Sequence, residues 1–420
     1  MTDVDQHRPA VFDPFEDGFV DDPYDQYARL RTGDPVHRSA LLHGWVVTRF
    51  DDVGKLLRDR SVSSDIRNAT PNPLTIMELK HLAERHRASE TIVLLDDPDH
   101  ARVRKLMSEP FRPREIERLR DQVQQRIDGA LDDLREQRGS GVIDLDLVAD
   151  FAYPLPVEIF SEMLGVPDED HARFRYLSQQ VAKTVDPVMS EAERTECLAA
   201  LDEMHEYLTV QAHAKRAEPA DDLMSALVHA ADDDGIPFSD SELIAQLVTL
   251  YLAGHEPVAS LLGAGTLALL RQPDQLAKLQ ADPTLVRNAV HELLRFDGPN
   301  HFMRRITTQP TVVGDVELPA GEVIYASPAA ANRDPDRWGD DADRVVVDRP
   351  DASQHLQFGA GAHACLGSHL ARLQAEIAFD ALLARLEDPQ LAGEPVWGGR
   401  LFIRGLDSLP ITCTIRERAS

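Results

Sequence analysis

Cys365 lies in the run FGAGAHACLG, Phe358 to Gly367, a glycine-punctuated loop directly ahead of Leu366 to Leu386, which reads as an amphipathic helix. A cysteine so placed has the surroundings an iron-bound thiolate needs. The sulfur must stay deprotonated, and backbone N–H groups and the positive end of a helix both favour its charge. Gly359, Gly361 and Gly367 predict a backbone that turns tightly and lies close to a flat macrocycle, where side chains would collide. A thiolate on iron pushes electron density toward the metal and favours O–O cleavage.

Other residues pair at helical spacing. His100 and Arg104 in DDPDHARVRKL are four apart, and Glu292 and Arg295 in HELLR are three apart, so each pair shares a helix face. The first pair can present donors and positive charge to an anion. The long apolar run Leu243 to Leu270 contains LAGHEPVAS, Leu252 to Ser260, where an acid, Glu256, directly precedes Pro257. A helical proline removes an N–H and clashes with the carbonyl four residues back, here Ala253, at a cost of ~3 kcal/mol. That predicts a kink and a freed carbonyl beside Gly254. Positive charge gathers in one short stretch, at Arg102, Arg104, Lys105, Arg112 and Arg114.

The elements that must position these residues are mostly helical. Ser239 and Glu242 form a capping box before the long apolar run, which Gln246, His255, Glu256, Pro257 and Ser260 interrupt. It reads as a helix through a soluble core rather than a membrane span. Residues 23–60 predict a helix, a strand pair with HGWVVTRF as its clearest strand, and a second helix at DDVGKLLRD. Residues 61–93 read as a long loop with one short helical piece. Helical periodicity dominates 98–230, broken at Pro113, Gly139–Gly141, Pro167, Pro187 and Pro219, and strand signals return at 311–326 and 400–415. With no internal repeat and no low-complexity linker, the pattern predicts a mainly α fold, a helical body with small β-sheets at its edge. One domain over residues 1–420 is expected, with 1–20 an extended N-terminal segment. A net charge of −28 argues against nucleic acid and anionic membranes as partners. Cys197, Cys365 and Cys413 show no CxxC spacing, which fits a reducing cytoplasm without disulfides. The acidic, polar start has no apolar h-region, so neither a signal peptide nor a membrane anchor is expected there.

The cysteine loop matches Phe-Gly-x-Gly-x-His-x-Cys-x-Gly, the haem-ligand signature of the cytochrome P450 family, at every fixed position. The chain resembles a soluble, bacterial, actinobacterial-type member over most of its length. The resemblance implies heme b, with Cys365 as iron ligand and Phe358, Gly359 and Gly367 around it. It places His100, Arg104, His363 and Arg305 at the two propionates, with neighbouring Arg304 as the other register. It gives Glu292, Arg295 and Arg349 a structural role, locking the cysteine-loop side of the fold. In the long helix Ala253, Gly254 and Glu256 match the family's Ala-Gly-x-(Asp/Glu)-Thr, but the threonine position is Pro257. In relatives that hydroxyl helps to stabilise dioxygen and relays protons. Here protons must come through Glu256 and ordered water, or from a hydroxyl on the substrate.

A pocket for a hydrophobic small molecule is expected from Leu79, Leu82, Val93, Thr249, Leu252, Ala253, His301, Phe302, Phe402 and Ile403. The implied activity is insertion of one oxygen atom from dioxygen into such a molecule. No flavin or iron–sulfur motif is present, so electrons are expected from an external ferredoxin and its reductase. Arg102, Lys105, Arg112, Arg114 and Arg372 would form the docking patch. The alternative is a peroxide-driven or otherwise atypical haem-thiolate oxidase (coupling, desaturation), because of Pro257. Peroxide-using relatives tend to carry arginine just before a proline, where this chain has Glu256. No effector or DNA-binding segment suggests a haem sensor.

Overall fold

A computed structural model describes residues 10–84, 90–183 and 190–417. In chain order its helices are α1 (Tyr24–Gly33), α2 (Phe50–Arg58), α3 (Pro73–Glu84), α4 (Asp99–Ser108), α5 (Pro113–Glu117), α6 (Arg120–Arg138), α7 (Pro154–Leu164) and α8 (His171–Ala182). They continue with α9 (Glu191–Ala217), α10 (Leu223–Val228), α11 (Asp240–Arg271), α12 (Pro273–Ala281), α13 (Val286–Asp297), α14 (Pro328–Ala331), α15 (Pro335–Trp338) and α16 (Ser368–Arg385). The strands are β1 (Val36–Ser39), β2 (Gly44–Val47), β3 (Val62–Ser63), β4 (Val142–Asp146), β5 (Met303–Thr307) and β6 (Thr311–Val313). The remaining strands are β7 (Val316–Leu318), β8 (Val323–Ala326), β9 (Leu386–Leu391), β10 (Val396–Trp397), β11 (Leu406–Ser408) and β12 (Pro410–Ile415). This is the expected mainly α architecture with small sheets.

α11 is the axis of the helical body. Its start is fixed by the capping box: Glu242 N donates to Ser239 Oγ at 3.2 Å, and Ser239 N donates to Glu242 Oε2 at 2.9 Å. It packs against α7, α8, α9, α13 and α16, so it is apolar nearly all round, as a helix enclosed by others must be. That enclosure also explains why Pro257 does not break it. The helix runs uninterrupted from Asp240 to Arg271. The proline's missing N–H still leaves the Ala253 carbonyl without its i+4 donor. Among the described residues no helix is long and apolar enough to cross a membrane.

The largest sheet has the order β1-β2-β8-β5-β3, with β2 and β8 parallel and the other pairs antiparallel. A second sheet, β4-β12-β9, ties the middle of the chain to its end. Several expectations change. Residues 61–93 contain the twelve-residue α3 rather than a mere helical piece. The 400–415 stretch is irregular up to Gly405, and β4, β5 and β9 carry too little alternation in sequence to be read. Residues 10–21 turn repeatedly instead of extending, because Phe12 and Phe19 fold back into an aromatic cluster with Tyr27 and Phe302. Pro187 and residues 1–9 lie outside the described residues.

Candidate active site

Cys365 stands just before Gly367, the N-cap of α16. Its N–H donates to the Phe358 carbonyl at 2.8 Å, which closes the loop. Gly359 and Gly361 have φ of +65° and +72°. A Cβ on Gly361 would lie 2.6 Å from the Leu57 carbonyl, so this glycine serves the approach of the loop to α2 rather than to a macrocycle. Nothing lies within 4 Å of a Cβ placed on Gly367. The Cys365 side chain is exposed, yet dense protein around it desolvates the thiol and pushes its pKa up. The Gly367 N–H and the guanidinium groups of Arg104 and Arg372 oppose that push.

Beside Cys365 lies a cradle for anions. The rings of His100 (α4) and His363 stack with centroids 4.0 Å apart. Burial lowers both pKa values, that of His363 to about 3, so both rings are neutral. His100 Nε2 is buried without a hydrogen-bond partner. Burial also lowers the pKa of Arg104 and brings that of Arg305 down to about 10. Among the described residues neither arginine has a carboxylate within ion-pair distance. Arg305 is buried with the Arg304 carbonyl accepting from Nη1 at 2.7 Å, and Arg104 is half-buried; cations desolvated without a counter-charge are costly, and a ligand bearing carboxylates would relieve them. The register at Arg304/Arg305 is resolved by strand alternation along β5. Arg304 turns to Glu78 on α3, with Nη1–carboxylate distances of 2.6 and 2.5 Å, while Arg305 turns into the cradle. Sequence reasoning missed Ser64, whose hydroxyl is 3.1 Å from His363 Nε2, and Asp96, which accepts from Ser63 and from Ser64 N. Ser64 falls in the stretch 61–93 read as loop and Asp96 just beyond it, with no periodicity to flag either.

α11 presents the other wall. Thr249, Leu252, Ala253 and Pro257, with neighbouring Gly254, are exposed or partly so along the largely buried middle of the helix, and the first four share one face by their spacing. Thr249 Oγ1 donates back to the Ala245 carbonyl at 2.8 Å. Gly254 is not on this face: a Cβ there would meet the Phe160 ring of α7 at 2.5 Å. Its small size serves packing against α7. Glu256 is buried and bonded to Tyr153 and Arg400, two partners that sequence spacing could not reveal.

The remaining expected residues separate. His301 and Phe302 belong to the aromatic core: His301 Nδ1 is 2.9 Å from the Tyr27 hydroxyl, and Phe302 stacks edge-on with Phe12, Tyr27 and Phe402. They are core, not pocket lining. Leu79 and Phe402 are partly buried against that same core, Ile403 is partly exposed and Val93 is exposed. The side chain of Leu82 lies outside the described residues. Glu292, Arg295 and Arg349 come together fully or nearly buried. Arg295 Nε and Nη2 donate to the Glu292 carboxylate at 2.7 and 2.8 Å, and Arg349 Nε at 3.1 Å. Both arginines also bind carbonyls between Asn332 and Arg344, fixing the chain that leads to the cysteine loop.

Comparisons with known proteins decide the family. The profile described as Cytochrome P450 matches residues 67–388. The chain belongs to the cytochrome P450 family. It is 39% identical to the monooxygenase PikC of Streptomyces venezuelae, over 94% of this chain and 91% of that one. It is 36% identical to the vitamin D(3) 25-hydroxylase of Pseudonocardia autotrophica, over 98% and 97%. The solved structure of PksS, from the bacillaene polyketide synthase of Bacillus subtilis 168, superposes with a TM-score of 0.87 at 33% identity, over 97% of this chain and all of that one. This P450 is therefore a monooxygenase, and the family implies haem. The residues fit one. Among the described residues no three metal-ligating side chains cluster, so a single thiolate would need a macrocycle to complete an iron site, and the cationic cradle suits its propionates.

Bacterial P450s draw on redox partners, which need a docking face, and here the expected basic patch splits. Arg102 pairs with Glu242 and Lys105 with Asp233, and Arg104 turns inward. Arg112 and Arg114 stay exposed beside α16, Arg112 within 3.4 Å of Glu109, with half-buried Arg372 and, unforeseen, Arg287, which is 83% exposed and 3.8 Å from Glu376.

Proposed function

We propose that this P450 inserts one oxygen atom from dioxygen into an apolar small molecule of secondary metabolism. The whole chain acts as one catalytic domain in the cytoplasm. Cys365 ligates the iron of heme b, and His100, Arg104, Arg305 and His363 hold its propionates, with Phe358, Gly359 and Gly367 shaping the loop. Bound haem supplies dioxygen activation and oxygen-atom transfer. The observation that carries the reading is exposed Cys365 beside buried Arg305 and half-buried Arg104, neither with a carboxylate partner. The open face of α11, with Thr249, Leu252, Ala253 and Pro257, excludes water and orients the substrate, helped by Leu79, Val93, Phe402 and Ile403. Glu256 supplies protons. A ferredoxin docks at Arg112, Arg114, Arg287 and Arg372 and delivers electrons from its reductase.

The relatives named for polyketide synthesis and for vitamin D3, and a solved myxobacterial P450 in complex with myristic acid, suggest the test panel: a macrolactone, vitamin D3 and myristic acid, each titrated into the ferric holoenzyme. A low- to high-spin shift with an apolar compound is expected. No shift with any member, in a protein that takes up haem, counts against the substrate class. Pro257, which cannot donate a hydrogen bond on the open face, favours a second reading in which peroxide drives turnover. Yield with ferredoxin and reductase against yield with hydrogen peroxide separates the two.

A further inference from the structure

The rings around the middle of α11 form one continuous series. Tyr153, the N-cap of α7, meets His255 with ring centroids 5.8 Å apart, and His255 meets Tyr251 at 5.5 Å. Tyr251 meets Phe174 of α8 at 5.0 Å, and Phe174 meets Tyr207 of α9 at 4.6 Å. Tyr251, His255 and Phe174 are fully buried, whereas Tyr153 and Tyr207 at the two ends are partly exposed. The series therefore crosses the core from Glu256, which accepts from Tyr153, to Asp170, which accepts from Tyr207. Its rings come from four helices, so no spacing in the sequence announces it.

A base stands at each end. The Tyr153 hydroxyl donates to Glu256 Oε1 at 3.1 Å, and His255 Nε2 lies 3.5 Å from the same hydroxyl. His255 Nδ1 is 2.6 Å from the Tyr251 carbonyl, which can only accept, so that nitrogen carries the proton. Burial keeps the ring neutral, which leaves Nε2 with a free lone pair toward Tyr153. At the other end the Tyr207 hydroxyl donates to Asp170 Oδ2 at 2.6 Å. Among the described residues the Tyr251 hydroxyl has only that of Ser161, 3.0 Å away. Burial raises the pKa of all three phenols, so none ionises by itself. A phenol in that state gives up an electron readily only when a neighbouring base takes its proton in the same step. Tyr153 and Tyr207 meet this condition and Tyr251 does not. An oxidising equivalent can therefore rest at either end but only passes through the middle.

We propose that this series is a redox relay that drains surplus oxidising equivalents from the haem site to the surface at Tyr207, a function that rests on the haem-thiolate reading. One electron leaves Tyr153 for the over-oxidised haem site, and its phenolic proton passes to Glu256 Oε1. An electron from Tyr207, carried through Phe174, Tyr251 and His255, refills Tyr153, which takes its proton back from Glu256. The phenolic proton of Tyr207 goes to Asp170 and leaves a neutral tyrosyl radical. A soluble one-electron reductant such as ascorbate restores the phenol, with Asp170 returning the proton. Only O–H bonds break and re-form, and the reductant bears the net oxidation.

The test mixes substrate-free ferric holoenzyme with m-chloroperoxybenzoic acid and freeze-quenches it for electron paramagnetic resonance. Wild type, Y207F, Y153F, D170N and Y325F are compared, with ring-deuterated tyrosine to identify the radical. Wild type should give a tyrosyl signal that ascorbate removes. Y207F should lose most of it, and D170N, which keeps the phenol but removes the base, should reduce it several-fold. Trapping with 2-methyl-2-nitrosopropane and peptide mass spectrometry should place the adduct on Tyr207. With hydrogen peroxide and ascorbate present, the Soret band should bleach several-fold faster in Y207F and Y153F, with haem content unchanged. Y325F, whose ring belongs to the separate cluster with Phe402, should match wild type. A signal unchanged in both Y207F and D170N overturns the relay, as does an adduct confined to Tyr176, which is exposed. If Y153F does not fold, Y207F and D170N decide the matter, because both positions lie at the outer end. A haem that the peracid oxidises without any tyrosyl signal overturns the relay alone. A haem-loaded protein whose spectrum the peracid leaves unchanged sinks the haem-thiolate reading and the relay with it.

Discussion

Gln374, midway along α16, is 1% exposed, and neither its amide nitrogen nor its oxygen has a hydrogen-bond partner. Such a side chain loses its hydration on folding and gains nothing for it. Gln374→Leu, of similar volume, should therefore stabilise the holoenzyme by ~1–2 kcal/mol and raise its melting temperature. A lowered melting temperature would mean the amide has a function in the folded state. His301 acts in the opposite sense. Burial, then Arg404, brings its pKa down to about 3, with Asp297 opposing and Arg333 adding to the depression. The unfolded chain binds this proton near pH 6.5, so stability is complete above that value. It falls by ~1.4 kcal/mol per pH unit as the pH drops toward 3. His355, also held down to about 3, adds to the slope. His301→Asn should flatten the dependence of the urea midpoint on pH just below neutrality; an unchanged slope would count against His301. Sequence placed this histidine in the pocket because it follows α13 closely. It could not show that Tyr27, from the far end of the chain, occupies its Nδ1.

The elements best read in advance are those whose periodicity is long and whose ends are chemically marked. α11 carries a capping box and about nine turns of apolar residues, and its observed bounds overrun the expected ones by only a few residues. The cysteine loop was legible because its glycines, histidine and cysteine are adjacent in sequence. The partners of Glu256 were not, because Tyr153 and Arg400 reach it from 103 and 144 residues away. The contact of Gly254 with Phe160 was not legible for a related reason: a motif match places a residue on a helix, not what packs against it. Gly254→Ala raises intrinsic helix propensity, yet its Cβ would press on Phe160. We expect a net loss of ~1–3 kcal/mol from the overpacked α7–α11 contact. Phe160→Leu in the same chain should recover part of it. Full stability in the single variant would show that the contact relaxes freely.

At the scale of the whole molecule, −28 of net charge would oppose the proposed acidic electron carrier while Arg112, Arg114, Arg287 and Arg372 would attract it locally. The two act over different ranges. The repulsion comes from charges spread over the entire surface and is felt at long distance, whereas the patch works at contact. Salt with a Debye length of ~10 Å at 0.1 M screens the first before the second. The rate of first electron transfer from ferredoxin should therefore rise with ionic strength from a low value, pass through a maximum and then fall. Charge reversal by Arg112→Glu should lower the maximum and move it to higher salt, leaving the spin-state titration unchanged because Arg112 lies outside the pocket. Arg287→Glu should do the same, although the residue is far from Arg112 in sequence. A rate that only rises with salt would mean the patch contributes nothing and the carrier docks elsewhere. A rate that only falls would mean the local field outweighs the net charge at every distance. If Arg102→Glu proves as damaging as Arg112→Glu, its pairing with Glu242 does not neutralise it in solution, and the patch extends over α4 as the sequence first suggested.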